Sequence, residues 1–222
     1  MHAQTVTTPP PGPLSWGPRN VPVPYAAAWS GEKATVGGAL TVRPDGSGLA
    51  YRDETPADRD RNGVLWARMT DSPGAGRPNY RMMHAHRQRH AMLHLLCQVC
   101  GGPADRTSRG VLFLLPRPDP AEQAQPDWPE GGLCSKPPVC RPCAALALRH
   151  CPHLTDPLFV RSRKPRVWGA FGGFYVPGPG GSLTPTPDDH LPYGHPGTPW
   201  FLASQLLLQL TRCTPAPEDF TP

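Results

Sequence analysis

The sequence predicts an α+β domain: a small antiparallel sheet with about three helices gathered around four cysteines, loop-rich and preceded by an extended or disordered N-terminal arm. Three observations lead there. Two Cys-x-x-Cys pairs, Cys97 with Cys100 and Cys140 with Cys143, are separated by a stretch with strand and loop character. Apolar and polar residues alternate on both sides of Pro44-Asp45-Gly46, the mark of a hairpin, whereas the residues after Arg81 and after Cys143 have helical character. The 33 prolines and 23 glycines exclude a mostly helical bundle, while 38% hydrophobic residues and six tryptophans exclude a wholly solvated chain.

Taken in order, residues 1–24 hold three consecutive prolines and repeated Val-Pro steps, which remove amide donors and keep a chain extended. They read as a proline-rich arm. Residues 25–70 read as a β region, with Leu40, Val42, Leu49 and Tyr51 in a hairpin and Val64 to Trp66 as a third strand. Residues 71–80 read as a linker. The segment 81–153 is the knuckle region: a helix from Arg81 that carries Met82, Met83, Met92, Leu93, Leu95 and Leu96, then a knuckle at Cys97 to Gly102. A short buried strand, VLFLLP, follows, and after it an acidic proline-rich loop. Cys143 then leads into AALALRHC, a helix that Pro152 stops. Within 154–213, VWGAFGGFYVPG reads as a strand with a glycine bulge, and Thr198 and Pro199 suit the cap and first residue of a third helix running to about Arg212. That stretch is apolar around its whole circumference, so it must be buried. Residues 214–222 are a tail.

Charge is modest, +5 from 22 basic and 17 acidic residues, and almost all the basic residues are arginine. The absence of isoleucine and the scarcity of lysine fit a GC-rich coding sequence, so arginine in place of lysine is no sign of phosphate recognition. The first residues lack the charged start and apolar stretch of a secretory signal, and no window has the length and apolarity to span a membrane. A cytoplasmic location is expected. Seven cysteines in such a compartment point to metal or redox chemistry rather than to disulfides.

A Cys-x-x-Cys turn aims two thiolates from one tight loop, and two such turns supply four soft ligands. Cys97, Cys100, Cys140 and Cys143 are therefore expected to bind Zn2+ in a closed structural site. Gly101 and Gly102 allow the left-handed backbone that the first knuckle requires. Cys140-Arg-Pro-Cys143 at a helix start also fits a thioredoxin-like redox pair, although the surrounding βαβ order is missing and Cys97 and Cys100 would have no role. Cys134, His150, Cys151 and His153 are candidates for a second metal or for substitution of one ligand.

The order CQVCGGPA, a hairpin-like segment, then CRPCAALA opening a helix resembles the treble-clef zinc finger over roughly residues 94–153. HNH-type nucleases are built on the same scaffold. The chain is also similar in motif and composition to uncharacterised zinc-knuckle proteins of actinobacteria, a likeness that implies no particular activity. In the nucleases, histidines on the hairpin between the knuckles bind a catalytic metal. No histidine lies between Cys100 and Cys140, so the resemblance implies the scaffold without that centre.

Other chemistries find less support. Zinc deaminases need a glutamate next to a ligand and a Pro-Cys-x-x-Cys run, and here Val139 precedes Cys140. Asp58, Asp60, Asn62 and Gly63 match the first half of a calcium loop, but its twelfth position is Met69. No nucleophile elbow, P-loop or dinucleotide fingerprint is present. His86, His90 and His94 recur every four residues beside Arg81, Arg87 and Arg89, and the preferred reading is a solvated basic helix face suited to phosphate contact. A second basic run, Arg161, Arg163, Lys164 and Arg166, precedes aromatic residues. The expected function is a nucleic-acid-binding or adaptor module that presents the basic helix to nucleic acid or to an acidic protein partner. The alternatives are a diverged nuclease or hydrolase with a second, catalytic metal, and a structural component of a phage or mobile-element assembly.

Overall fold

The computed structural model describes residues 13–34, 39–117, 127–152, 154 and 156–217. In chain order its elements are β1 (Leu14–Trp16), β2 (Val21–Val23), β3 (Ala27–Trp29), β4 (Leu40–Val42), β5 (Leu49–Tyr51), β6 (Leu65–Trp66), β7 (Pro78–Met83) and α1 (Ala85–His94). There follow β8 (Arg106–Thr107), β9 (Gly110–Leu115), β10 (Leu133–Cys134), α2 (Arg141–His150), β11 (Leu158–Ser162), β12 (Arg166–Pro177), β13 (Leu183–Pro192), β14 (Phe201–Gln209) and β15 (Cys213–Pro215). Fifteen strands against two α-helices among the described residues overturn the expected α+β fold with about three helices. The protein is mostly β.

The expected third helix is the main correction. Residues 201–209 form β14, the centre of a five-stranded sheet in which β12 pairs antiparallel along one edge while β6 and β10 share the other. Two facts hid the strand. It is buried on both faces, so it shows no polar side, and it carries a bulge. Gly172 faces Ala203 and Phe171 faces Gln205, which leaves Ser204 as the extra residue. Its hydroxyl donates to the Phe171 carbonyl (3.2 Å). The bulge inverts the alternation: Phe201 and Ala203 enter the main core before it, Leu206 and Leu208 after it. A period of two is thereby erased from the sequence.

A second sheet runs β15-β11-β9-β8, all antiparallel. Its β9 is buried along its whole length because both faces are covered. Val111, Phe113 and Leu115 join Val160 in the main core against the five-stranded sheet, while Leu112 and Leu114 turn outward onto the cysteine knuckles. The continuous apolar run VLFLL follows from that two-sided burial.

Helix α1 begins at Ala85, capped by His84, rather than at Arg81, which belongs to β7. β7 pairs with β3, so the expected linker ends in sheet. Gln88 of α1, fully buried, fills the part of the β14 edge between β6 and β10. Its side chain accepts from Leu206 N–H (2.9 Å) and donates to Leu206 O (3.0 Å) and Ser135 O (2.7 Å), as a strand residue would. The expected hairpin is present, with Leu40 opposite Tyr51 and Val42 opposite Leu49. Of the expected arm, residues 1–12 lie outside the described residues. Residues 14–23 form the β1–β2 hairpin, and the chain after it donates from Tyr25 and Ala26 to the Val99 and Gln98 carbonyls of the first knuckle (2.9 and 3.0 Å).

Candidate metal centre

The first knuckle starts where α1 ends. Leu95 takes a left-handed conformation (φ 51°) that turns the chain out of the helix. Cys97 N–H then donates to Gly102 O (2.6 Å) and Gly101 N–H to Cys97 O (2.8 Å), a loop closed by the positive φ (72°) of Gly101. The second knuckle is the N-terminus of α2. Cys140 occupies the cap position, Pro142 lies in the first turn where its missing N–H costs nothing, and Cys143 follows one residue later. Gln98 N–H donates to Pro138 O (2.9 Å), tying the knuckles together, and Val139 N–H donates to Leu112 O (2.9 Å), tying them to β9.

These turns bring Cys97, Cys100, Cys140 and Cys143 together, with all four sulfurs within 4.8 Å of one another. Four cysteines so placed could hold a metal ion. Cys97 and Cys143 are buried among Val99, Leu112, Leu114, Val139 and Ala144, whereas Cys100 and Cys140, whose sulfurs are 3.9 Å apart, reach the surface. A hydrogen bond from Cys143 and the backbone N–H groups of the knuckles hold the Cys97 thiol down to about 5 against its burial. The same bond, with burial, pushes Cys143 up, and burial pushes Cys140 up to about 11. Four thiolates at this spacing require a cation among them.

Among the described residues, the candidates for a second metal do not gather. Cys134 sits in β10 inside the main core, its thiol donating to Lys136 O (3.2 Å) and pushed up to about 11 by burial. His150 and Cys151 end α2, so the length of the helix, on the order of 13 Å at 1.5 Å per residue, separates them from its first turn. His153 lies outside the described residues. Asp58 and Asp60 of the calcium-like segment are held by protein groups. Arg68 pairs with Asp58 (2.7 Å), and Trp66 Nε1–H and Tyr193 O–H donate to Asp60 (3.0 and 2.7 Å).

The expected basic face of α1 is divided. Arg81, in β7, and His86 and His94 are exposed. Arg89 lies over the Trp66 ring (4.3 Å to its centre), and His90 contacts Tyr25 O–H (3.3 Å) and the His94 ring (4.7 Å between centres). Arg87, in contrast, is buried. Its guanidinium donates to both oxygens of Glu32 (2.5 and 2.8 Å), to Asp71, and to the Tyr25 and Ala27 carbonyls (both 2.7 Å). Burial, with the Arg87 charge beside it, pushes His84 below the ordinary imidazole range. Its Nδ1 accepts from Arg87 N–H (3.3 Å), which leaves Nε2 to carry the proton toward Thr70 O (3.1 Å). Glu32, Asp71 and His84 thus converge as metal ligands would, around a guanidinium. Sequence reading did not find this group, because its members lie on three separated segments with no shared spacing. In the second basic run, Arg161 is fully buried and bonded to Asp105 (2.5 Å) and Gly110 O (3.1 Å), while Arg163, Lys164 and Arg166 are exposed.

No helix among the described residues is long and apolar enough to cross a membrane. Compared with protein-family models, with curated proteins and with solved structures, the chain has no match.

Proposed function

We propose that this chain is a zinc-stapled β domain that serves as a binding module for nucleic acid, with the four-cysteine site in a structural role. The observation that carries the zinc reading is the convergence of four cysteine sulfurs from two knuckles within 4.8 Å. Tetrahedral zinc with Zn–S bonds near 2.3 Å separates its sulfurs by about 3.8 Å, and the Cys100 and Cys140 sulfurs stand 3.9 Å apart. Four thiolates fill the tetrahedron, which leaves no position for substrate or water. The knuckle at Cys97, the β8–β9 hairpin and the second knuckle opening α2 follow the order of a treble clef, which supports that comparison locally. The binding role rests on the net positive charge and on exposed arginines outside the buried ion pairs.

Metal analysis of the purified protein should give about one zinc per chain; none would remove the structural reading, and two would point back to a catalytic metal. Binding of a mixed-sequence oligonucleotide should weaken steeply as salt is raised. Binding absent at low salt, or indifferent to salt, would remove the nucleic-acid reading.

A further inference from the structure

Three turns meet at one end of the four-stranded sheet: 107–110 between β8 and β9, 162–166 between β11 and β12, and 210–213 leading into β15. They are fixed to each other through the backbone. Arg163 and Lys164 N–H donate to Arg212 and Thr211 carbonyls (both 3.2 Å), Thr211 O–H donates to Lys164 O (2.5 Å), and Ser162 O–H donates to Thr211 O (2.7 Å). Gly110 sits so close to the Ser162 carbonyl that a Cβ there would lie 2.3 Å from it. The 107–110 turn therefore rests directly on the 162–166 turn.

From this frame Arg106, Arg163, Lys164 and Arg166 project into solvent, with Arg212 at the margin. No acid occurs in the three turns themselves. Asp105 is engaged beneath them by buried Arg161, and Glu130 accepts the Arg212 and Cys213 N–H groups at the margin (2.8 and 2.7 Å). Arg106 lies in β8, Arg163 and Lys164 follow β11, and Arg166 opens β12 of the neighbouring sheet, so the cations flank turns that are fixed to one another.

We infer that this sheet end, rather than helix α1, is the nucleic-acid contact, and that it grips the phosphate backbone without reading sequence. The inference rests on the binding reading above and assigns it a surface. α1 is the weaker platform: Arg87 is buried against Glu32 and Asp71, and Arg89 is laid over Trp66. Four exposed cations on a fixed backbone need no backbone ordering to meet phosphates, and each phosphate neutralised releases counterions.

The test uses the full chain with its metal and a fluorescent 30-nucleotide DNA of mixed sequence, single-stranded and as a duplex, titrated at about 50 and 200 mM salt. The variant Arg106→Gln/Arg163→Gln/Lys164→Gln/Arg166→Gln should bind at least about tenfold more weakly at the lower salt. Its slope of log affinity against log salt should be shallower by about 2–4, while its metal content and melting temperature stay unchanged. A second variant, Arg81→Gln/His86→Gln/His94→Gln, should bind as the parent does. Unchanged binding by the first variant, or a loss confined to the second, overturns the surface while leaving the nucleic-acid reading standing. No binding by the parent at either salt overturns both, and preference for an acidic polypeptide over DNA overturns the partner.

Discussion

Two clusters in this molecule gather ligand-type side chains at metal-binding distances, and they solve the problem of like charge in opposite ways. The four cysteines sit in an apolar cluster with Val99, Leu112, Leu114, Val139 and Ala144. Glu32, Asp71 and His84 converge just as closely, but Arg87 of α1 fills the space between them with a guanidinium. The second cluster has its counter-charge in the polypeptide; the first could hold a metal ion. The difference also shows in placement. The cysteines lie over the outer face of β9 and β11 among Val99, Val139 and Ala144, whereas Arg87 locks α1 to β3 and to the segment ahead of β7.

If that contrast holds, removing cysteine ligands has the largest effect. Cys97→Ser with Cys143→Ser should abolish metal binding and cooperative melting of the knuckle region, since structural zinc contributes apparent free energies of about 10–16 kcal/mol in zinc-finger peptides. Zinc analysis and amide exchange at Leu112 and Leu114 check this, and a cooperative, metal-free variant would break the comparison. Next comes Arg87→Met, which leaves Glu32 as a buried unpaired carboxylate and should cost about 3–5 kcal/mol by denaturant unfolding. Pairing it with Glu32→Leu should recover much of that loss, and metal content should stay at one in either variant.

Gln88→Ala deprives Leu206 and Ser135 of buried partners and should cost about 1–3 kcal/mol without touching the metal. Acid should separate the two clusters. Burial alone would raise the Glu32 carboxyl, but Arg87 and the backbone N–H groups of Trp29 and Ser72 more than offset it and hold the group below its ordinary value of 4.5. Its contribution is therefore present above that value and lost as pH falls through the lowered one. Thiolates must be protonated for the metal to leave, so metal release should move to lower pH with added metal while loss of the Arg87 pair should not move. A metal-sensitive dye and circular dichroism followed together would show two steps; steps that coincide at every metal concentration would break the comparison. The smallest effect is expected from Cys134→Ala and His150→Ala, which should leave the metal count unchanged.

The cysteine pairs could be recognised before any coordinates because their chemistry is local. Each Cys-x-x-Cys turn aims two sulfurs by itself, and Gly101 and Pro142 mark the backbone each turn needs. The Leu40 to Tyr51 hairpin was legible for the same reason, its turn and its alternation being contiguous. β14 was not. The Ser204 bulge and burial on both faces left an all-apolar segment behind a good helix start at Thr198-Pro199, and only pairing with β12, β6 and β10 makes it a strand. Arg87 was misjudged through its neighbours. Its spacing from exposed His86 and His94 suggested one solvated face, while its partners Glu32 and Asp71 come from elsewhere in the chain.

The sequence by itself determined the cysteine pairs, the two knuckles and the hairpin, because each depends on residues a few positions apart. Tertiary structure decided which arginines remain outside, what fills the edge of β14, and that the protein is built mostly of strands. Those outcomes depend on contacts between segments far apart in the chain, whose partners no local spacing records.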